Sequence, residues 1–146
     1  MHIRANKEED RNSCLVIFDS NCPQYFAIAE KILFINWLDK KDREKYYVLA
    51  VADKIIGCGG IYKDKKEHLA GLAWGMIHRN FHNKGYGKQL TEFRIEKLNH
   101  EFPDITHKVE TSQHTFGFYE LMGFKTIDII KDGFANGLDK YVMKKL

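Results

Sequence analysis

Proline and cysteine are scarce in this chain, at two and three residues among 146. With so little proline, and no Ser-rich or Gly-rich tract, no stretch has the composition of a linker, and one domain over residues 1–146 is expected. A chain of this size buries about two-thirds of its unfolded surface, enough for a core with a concave site. Cys14, Cys22 and Cys58 are too few and too scattered for a disulfide framework or a zinc site, so they read as reduced, buried thiols and no metal is expected. Long apolar runs are missing too. The strongest, residues 69–77, falls far short of the ~20 residues that span a bilayer. Lys7, Glu8, Glu9, Asp10 and Arg11 stand where the apolar centre of a leader would have to be. A cytoplasmic protein without membrane contact is the expectation. Nor does one sign of charge dominate: 23 Lys plus Arg against 20 Asp plus Glu give +3. That balance suits a small polyanion, and no Arg-rich or aromatic-interleaved stripe points to nucleic acid.

What is present is an ordinary globular composition, 44% hydrophobic and 29% charged. Hydropathy patterning predicts a short strand over residues 1–5, then a helix with its stripe on Cys14, Leu15, Ile17 and Phe18. Ser20, Asn21 and Pro23 mark a second helix start, and residues 24–38 are apolar on most sides, as in a helix largely covered by a sheet or a ligand. Two β-rich runs, 46–52 and 54–62, flank a hairpin at Asp53-Lys54, and a third run covers 68–78. Helical spacing returns over 88–100 with Leu90, Phe93 and Leu98 beside Arg94 and Lys97. A strand over 105–111 precedes a short helix capped by Ser112 and ended by Gly123. Strands over 124–130 and 138–143 follow, with turns at Asp132-Gly133 and Asn136-Gly137. The order β-α-α-β-β-β-α-β-α-β-β argues for an α/β (α+β) fold, a mixed sheet flanked by helices.

His82-Asn83-Lys84-Gly85-Tyr86-Gly87-Lys88 lies between a strand and a helix. A helix start offers unpaired backbone N–H groups and the positive end of the macrodipole, and glycines let an anion come close. A dinucleotide fingerprint fails because Leu90 stands where a third small residue is needed, and a P-loop fails because Gln89 follows Gly87-Lys88.

About thirty residues later comes Phe118-Tyr119-Glu120-Leu121-Met122-Gly123-Phe124. With both motifs in view, the chain resembles the GNAT superfamily of N-acetyltransferases along its whole length. That family carries Arg/Gln-x-x-Gly-x-Gly/Ala at the start of its central helix and a later Tyr-Glu-x-x-Gly-Phe. The chain reads His82-x-x-Gly85-x-Gly87 for the first and matches the second fully. The resemblance implies a V-splayed sheet with acetyl-CoA wedged where strands four and five part. It implies that loop 82–87 grips the pyrophosphate, that Met76 and Ile77 pair with pantetheine, and that Tyr119 protonates the departing thiolate. There are three departures. His82 replaces Arg or Gln, Ser112 stands where many members carry asparagine, and Gly71 lies eleven residues before His82, where a number of members place a glutamate base.

Transfer of an acyl group to an amine needs a neutral nucleophile, and an amine of pKa about 10.4 lies about 4–5 kcal/mol from neutrality at pH 7. With Gly71 in the glutamate's place, a water-relayed base drawing on His78, Glu67 or Glu110 is expected. Lys84 and Lys88 flank the loop as candidate phosphate contacts. Tyr25, Phe26, Glu30 and Trp74 are candidates for an acceptor pocket suited to a small primary amine, with Phe134 in the facing turn. The alternatives are a protein N-terminus or lysine as acceptor, and a non-catalytic acyl-CoA-binding sensor. A homodimer is compatible with the sequence.

Overall fold

The computed structural model describes residues 1–40 and 45–145. Seven strands form one sheet in the order β1-β2-β3-β4-β5-β7-β6. They are β1 (His2–Ala5), β2 (Tyr46–Val51), β3 (Lys54–Asp64), β4 (Leu69–Ile77), β5 (Thr106–Thr111), β6 (Lys125–Ala135) and β7 (Leu138–Lys145). The helices are α1 (Arg11–Ser20), α2 (Lys31–Lys40), α3 (Tyr86–Glu101) and α4 (Phe116–Leu121). All neighbours pair antiparallel except β4 and β5, which are joined through α3 and run parallel. A parallel neighbour requires a long crossover, and the 88–100 helical pattern provides it.

Alternation along the strands sends side chains to both faces. Tyr46 and Val48 of β2 meet Cys14, Ile17 and Phe18 of α1 and Phe34 and Leu38 of α2. Leu49, one residue on, packs with Leu90 of α3 and Ile77. A third cluster joins Ile95 and Leu98 of α3 to Val109, Phe124 and Met143. The expected element order and the helix-flanked mixed sheet are both observed.

Several local expectations are corrected. The apolar stretch 24–38 is not one helix: residues 21–26 turn, Ile28–Glu30 form a 3-10 turn, and α2 begins at Lys31. Nor is it covered all round, for Ile28, Ile32 and Leu33 are exposed while Phe34 and Leu38 carry the packing. Ser112 is not the cap of α4. That position is Thr115, and the Ser112 hydroxyl instead accepts from the His114 N–H at 3.2 Å. Asp132-Gly133 does not end a strand, because β6 runs on through a bulge there and turns at Asn136-Gly137. The first hairpin turns on Ala52 and Asp53, both left-handed, as a two-residue β-turn requires.

The N-terminal strand is tied to α1 by a bidentate ion pair. The two terminal nitrogens of Arg4 donate to Asp10 at 2.7 and 3.0 Å, and the Lys7 N–H donates to it at 2.8 Å. Burial pushes the Asp10 carboxyl up, but Arg4 and the Lys7 N–H outweigh it and hold it below the usual carboxylate range. A depressed carboxylate contributes stability above its unfolded pKa and loses it as pH falls through the folded one. Asp10→Asn is therefore expected to cost about 1.5–3 kcal/mol at pH 7. In urea melts the gap between wild type and variant should narrow as pH drops below the unperturbed 3.8.

Candidate active site

β4 and β5 pair only at Leu69–Thr106, Ala70–His107 and Gly71–Lys108, after which the two strands part. β5 keeps its other partner, β7, as far as Thr111. β4 carries a bulge opposite Gly59, where the register with β3 shifts and Trp74 takes a positive φ of 47°. The Trp74 carbonyl, turned out of the ladder, accepts from the Tyr46 hydroxyl at 3.0 Å. The split opens a cavity of about 930 Å³ reaching from the residue 21–30 segment to α4.

At one end of that cavity lies the glycine loop. Asn83 and Gly85 both adopt left-handed φ, 61° and 86°, and α3 starts at Tyr86. The first N–H of α3 with a helical acceptor is that of Gln89, on the Gly85 carbonyl. The N–H groups of Tyr86, Gly87 and Lys88 are left facing outward at the helix start. A Cβ on Gly85 would meet nothing within 4 Å, and one on Gly87 nothing nearer than 3.8 Å, so the protein itself leaves the space in front of both glycines open. This is a concavity built for an anion. His82 does not reach into it: its Nε2 lies 2.8 Å from the Ile77 carbonyl, tying the loop to the end of β4. The Asn21 amide donates to the same carbonyl at 2.9 Å. Two donors fill both lone pairs of that oxygen and leave it no capacity for a third.

Around the split the cavity is lined by Met76, Ile77, His82, Asn83, Gly85, Gly87, Lys88, Ser112 and Tyr119, together with Tyr25, Phe26, Glu30, Trp74, Glu110 and Phe134. The remaining expected residues lie outside it. Lys84 is an exposed loop residue, and Tyr86 packs its ring against Phe81. Glu67 sits on the exposed turn between β3 and β4, away from the cavity lining. His78 caps the 3-10 turn Arg79–Phe81 by accepting from the Asn80 N–H on Nδ1, and burial with nearby Lys54 and His82 lowers its pKa. Of the three expected bases, only Glu110 lines the cavity; it stands 3.4 Å from Lys108.

Tyr119 is half-buried, edge-on to Phe118 and Phe124, and its hydroxyl has no hydrogen-bond partner among the described residues. Trp74 stacks with Phe26 and packs against Phe18 and Phe34, so these aromatics serve the core and the cavity wall together. Glu30 is buried, and its carboxylate accepts from the Ala27 N–H at 2.8 Å; burial pushes its pKa up, against that bond and the charge of Lys140.

Among the lining residues to which the sequence reading gave no site role are Asn21, Tyr62, Arg94 and His114. Arg94 carried a usable signal. It falls on the apolar side of α3, with Leu90, Ile95 and Leu98, and is buried. Tyr62 explains Gly71. A Cβ there would stand 2.4 Å from the Lys108 carbonyl and 2.8 Å from the Tyr62 ring and hydroxyl. The strand pair closes only because position 71 has no side chain.

An acetyltransferase (GNAT) domain model matches residues 29–146. The chain belongs to the GNAT acetyltransferase family. Its fold matches the ribosomal-protein-alanine N-acetyltransferase of Brucella melitensis, with TM-score 0.80 at 17% identity over 100% of this chain and 99% of that one. Ard1 from Thermoplasma volcanium gives 0.80 at 18% identity over 99% and 95%. A candidate phosphinothricin N-acetyltransferase gives 0.82 at 12% identity over 99% and 96%. A search of curated proteins finds no match. In this GNAT chain, Gly71→Glu is expected to lower the melting temperature, with a cost of about 1–3 kcal/mol from overpacking. A thermal melt unchanged by that substitution would contradict the closure of β4 on β5 described here.

Proposed function

We propose that this protein transfers an acetyl group from acetyl-CoA to a small primary amine within a ternary complex. The observation that carries the reading is the continuous cavity joining the outward-facing N–H groups of the α3 start to the free hydroxyl of Tyr119. When bound, acetyl-CoA supplies an acyl group activated as a thioester. The N–H groups of residues 85–88 and the Lys88 ammonium would hold its pyrophosphate, and the parted edge of β4 near Gly75 and Met76 would align its pantetheine arm. Holding two reactants in line is worth up to about 7–11 kcal/mol, so positioning by the split sheet supplies much of the rate. A backbone N–H at the β4 bulge is the natural donor to the carbonyl oxygen as charge builds there. Tyr119, with no other hydrogen-bond partner, gives its proton to the sulfur as the carbon–sulfur bond breaks and the carbon–nitrogen bond forms. The amine proton leaves through water towards Glu110, the one expected base that lines the cavity.

Tyr25, Phe26 and Phe134 give the acceptor end an apolar wall, with Glu30 as a carboxylate for an ammonium group. That combination favours a small amine with an apolar body. The chief rival is a protein N-terminus or lysine, since two of the structural neighbours above bear the names of ribosomal-protein-alanine N-acetyltransferase and Ard1. A CoA-release screen over amino acids, polyamines, aromatic amines, aminoglycosides and short peptides tests the choice. Turnover only with peptides, indifferent to Glu30→Gln, would reject the small acceptor. Binding of acetyl-CoA without release of CoA across the whole panel would favour a sensor.

Gly87→Val meets no protein atom that forbids it, so its fold should hold while acetyl-CoA binding weakens at least about tenfold, near 1.4 kcal/mol, by calorimetry. Tyr119→Phe should keep cofactor affinity and lose about 10²-fold in kcat. Glu110→Gln should flatten the rising limb of kcat/KM against pH. If that profile follows only the amine's own ionisation in both proteins, Glu110 is not the base.

A further inference from the structure

Arg94 is the largest fully buried side chain among the described residues, at 1% exposure. Arg94 is among the residues that line the cavity, yet no carboxylate pairs with it among the described residues. Its hydrogen bonds are long: one terminal nitrogen lies 3.4 Å from the Gly60 carbonyl and the other 3.4 Å from the Thr91 hydroxyl. Nε is buried with no hydrogen-bond partner among the described residues. A guanidinium stays charged in proteins and has five N–H donors to satisfy. An unpaired buried charge costs several kcal/mol, so a chain that keeps one in a cavity wall is leaving a place for the opposite charge.

The surrounding backbone is shaped around this group. A Cβ on Gly75 would stand 2.3 Å from one terminal nitrogen, and a Cβ on Gly59 would stand 3.0 Å from Nε and Cζ. Both strands at the β4 bulge thus give up a side chain where the guanidinium lies. Its electrostatic reach is felt across the sheet: burial pushes the Tyr46 hydroxyl and Cys58 thiol well up, and Arg94 acts against that on each. The position along α3 decides which part of a ligand it would meet. Arg94 follows Gly87 by seven residues, about 10 Å along the helix axis. It lies well past the phosphate loop, beside the bulge where the reacting groups come together.

We infer that Arg94 is a carboxylate-binding residue at the reacting end of the cavity, so that one of the two substrates carries a carboxylate there. The carboxylate has two sources, the far end of the acyl group (a dicarboxylic acyl-CoA) or the acceptor amine (an amino acid). A bidentate arginine–carboxylate pair would satisfy donors that the free protein leaves unmet. This inference rests on the acyl-CoA reading of the site.

Calorimetry on the whole chain with unreactive probes separates the sources. The donor arm compares S-(3-carboxypropyl)-CoA with S-butyl-CoA. The acceptor arm, with CoA bound, compares a set of amino acids with the amines that lack their carboxylate. In one arm the carboxylate-bearing probe should bind about 30-fold or more tightly than its neutral partner. Arg94→Met should abolish that preference, and Arg94→Lys should keep part of it. Because the free wild type holds the charge unpaired, the melting temperature of Arg94→Met should match or exceed the wild type's. Equal binding of both probes in both arms overturns the inference, as does a preference that survives in Arg94→Met. A lower-melting Arg94→Met also overturns it, by assigning the guanidinium to holding Gly60 and Thr91. Absence of CoA binding to the wild type sinks the acyl-CoA reading and this inference with it. CoA binding without any carboxylate preference sinks this inference alone.

Discussion

A parallel strand pair that closes for three residues and then opens is the constraint on which the rest of this molecule depends. Closing requires Gly71, because the Lys108 carbonyl and the Tyr62 ring occupy the volume a side chain would take. Opening follows beyond it, where β4 bulges at Trp74 while β5 stays paired with β7. An open sheet edge inside a protein exposes backbone donors and acceptors that must find partners. Part of that demand is met internally, by the Tyr46 hydroxyl on the Trp74 carbonyl and by Asn21 and His82 on the Ile77 carbonyl. What remains unmet is what a bound chain of amides can satisfy. The same geometry that costs strand pairing makes the binding slot.

Charge is distributed along the slot in a graded way. The glycine-loop end offers backbone dipoles and Lys88, groups able to hold an anion without a buried formal charge. The opposite end has Glu30, whose carboxyl burial pushes up and which already accepts from the Ala27 N–H. Between them lies Arg94, buried and without a counter-ion among the described residues. Such an arrangement is stable only because the sheet and α3 are well packed around it, through Leu90, Ile95 and Leu98. Strain of this kind at a site is offset by order elsewhere.

The sequence revealed the architecture because its signals are local. Gly85 and Gly87 at a helix start, Gly123 after a short helix and the alternation in β2 each report on neighbours a few residues away. The same locality explains the failures. Residues 24–38 are apolar enough for one helix, yet the chain turns at Asn21 and starts α2 only at Lys31, because Phe26 is needed against Trp74 and Phe18. His78 and Glu67 had suitable chemistry at plausible positions, but whether a side chain faces a cavity is decided by sheet register and capping, which no spacing rule contains. Gly71 read as a missing base, whereas its role is to admit Tyr62, a residue nine positions earlier on the neighbouring strand. Arg94 was placed on a helix correctly, but its charge gave no sign that it would be buried.

The Ile77 carbonyl holds two donors from distant parts of the chain: Asn21, at the end of α1, and His82, at the mouth of the glycine loop. Tyr25 then lies edge-on to that same His82, at a ring-centroid distance of 5.3 Å. The 21–26 segment is thereby fastened to the glycine loop, through a single oxygen and one imidazole. The two walls of the cavity are braced against one another at this point. Coupling between two sites acts equally in both directions, so whatever such a fastening transmits, it would transmit from either end.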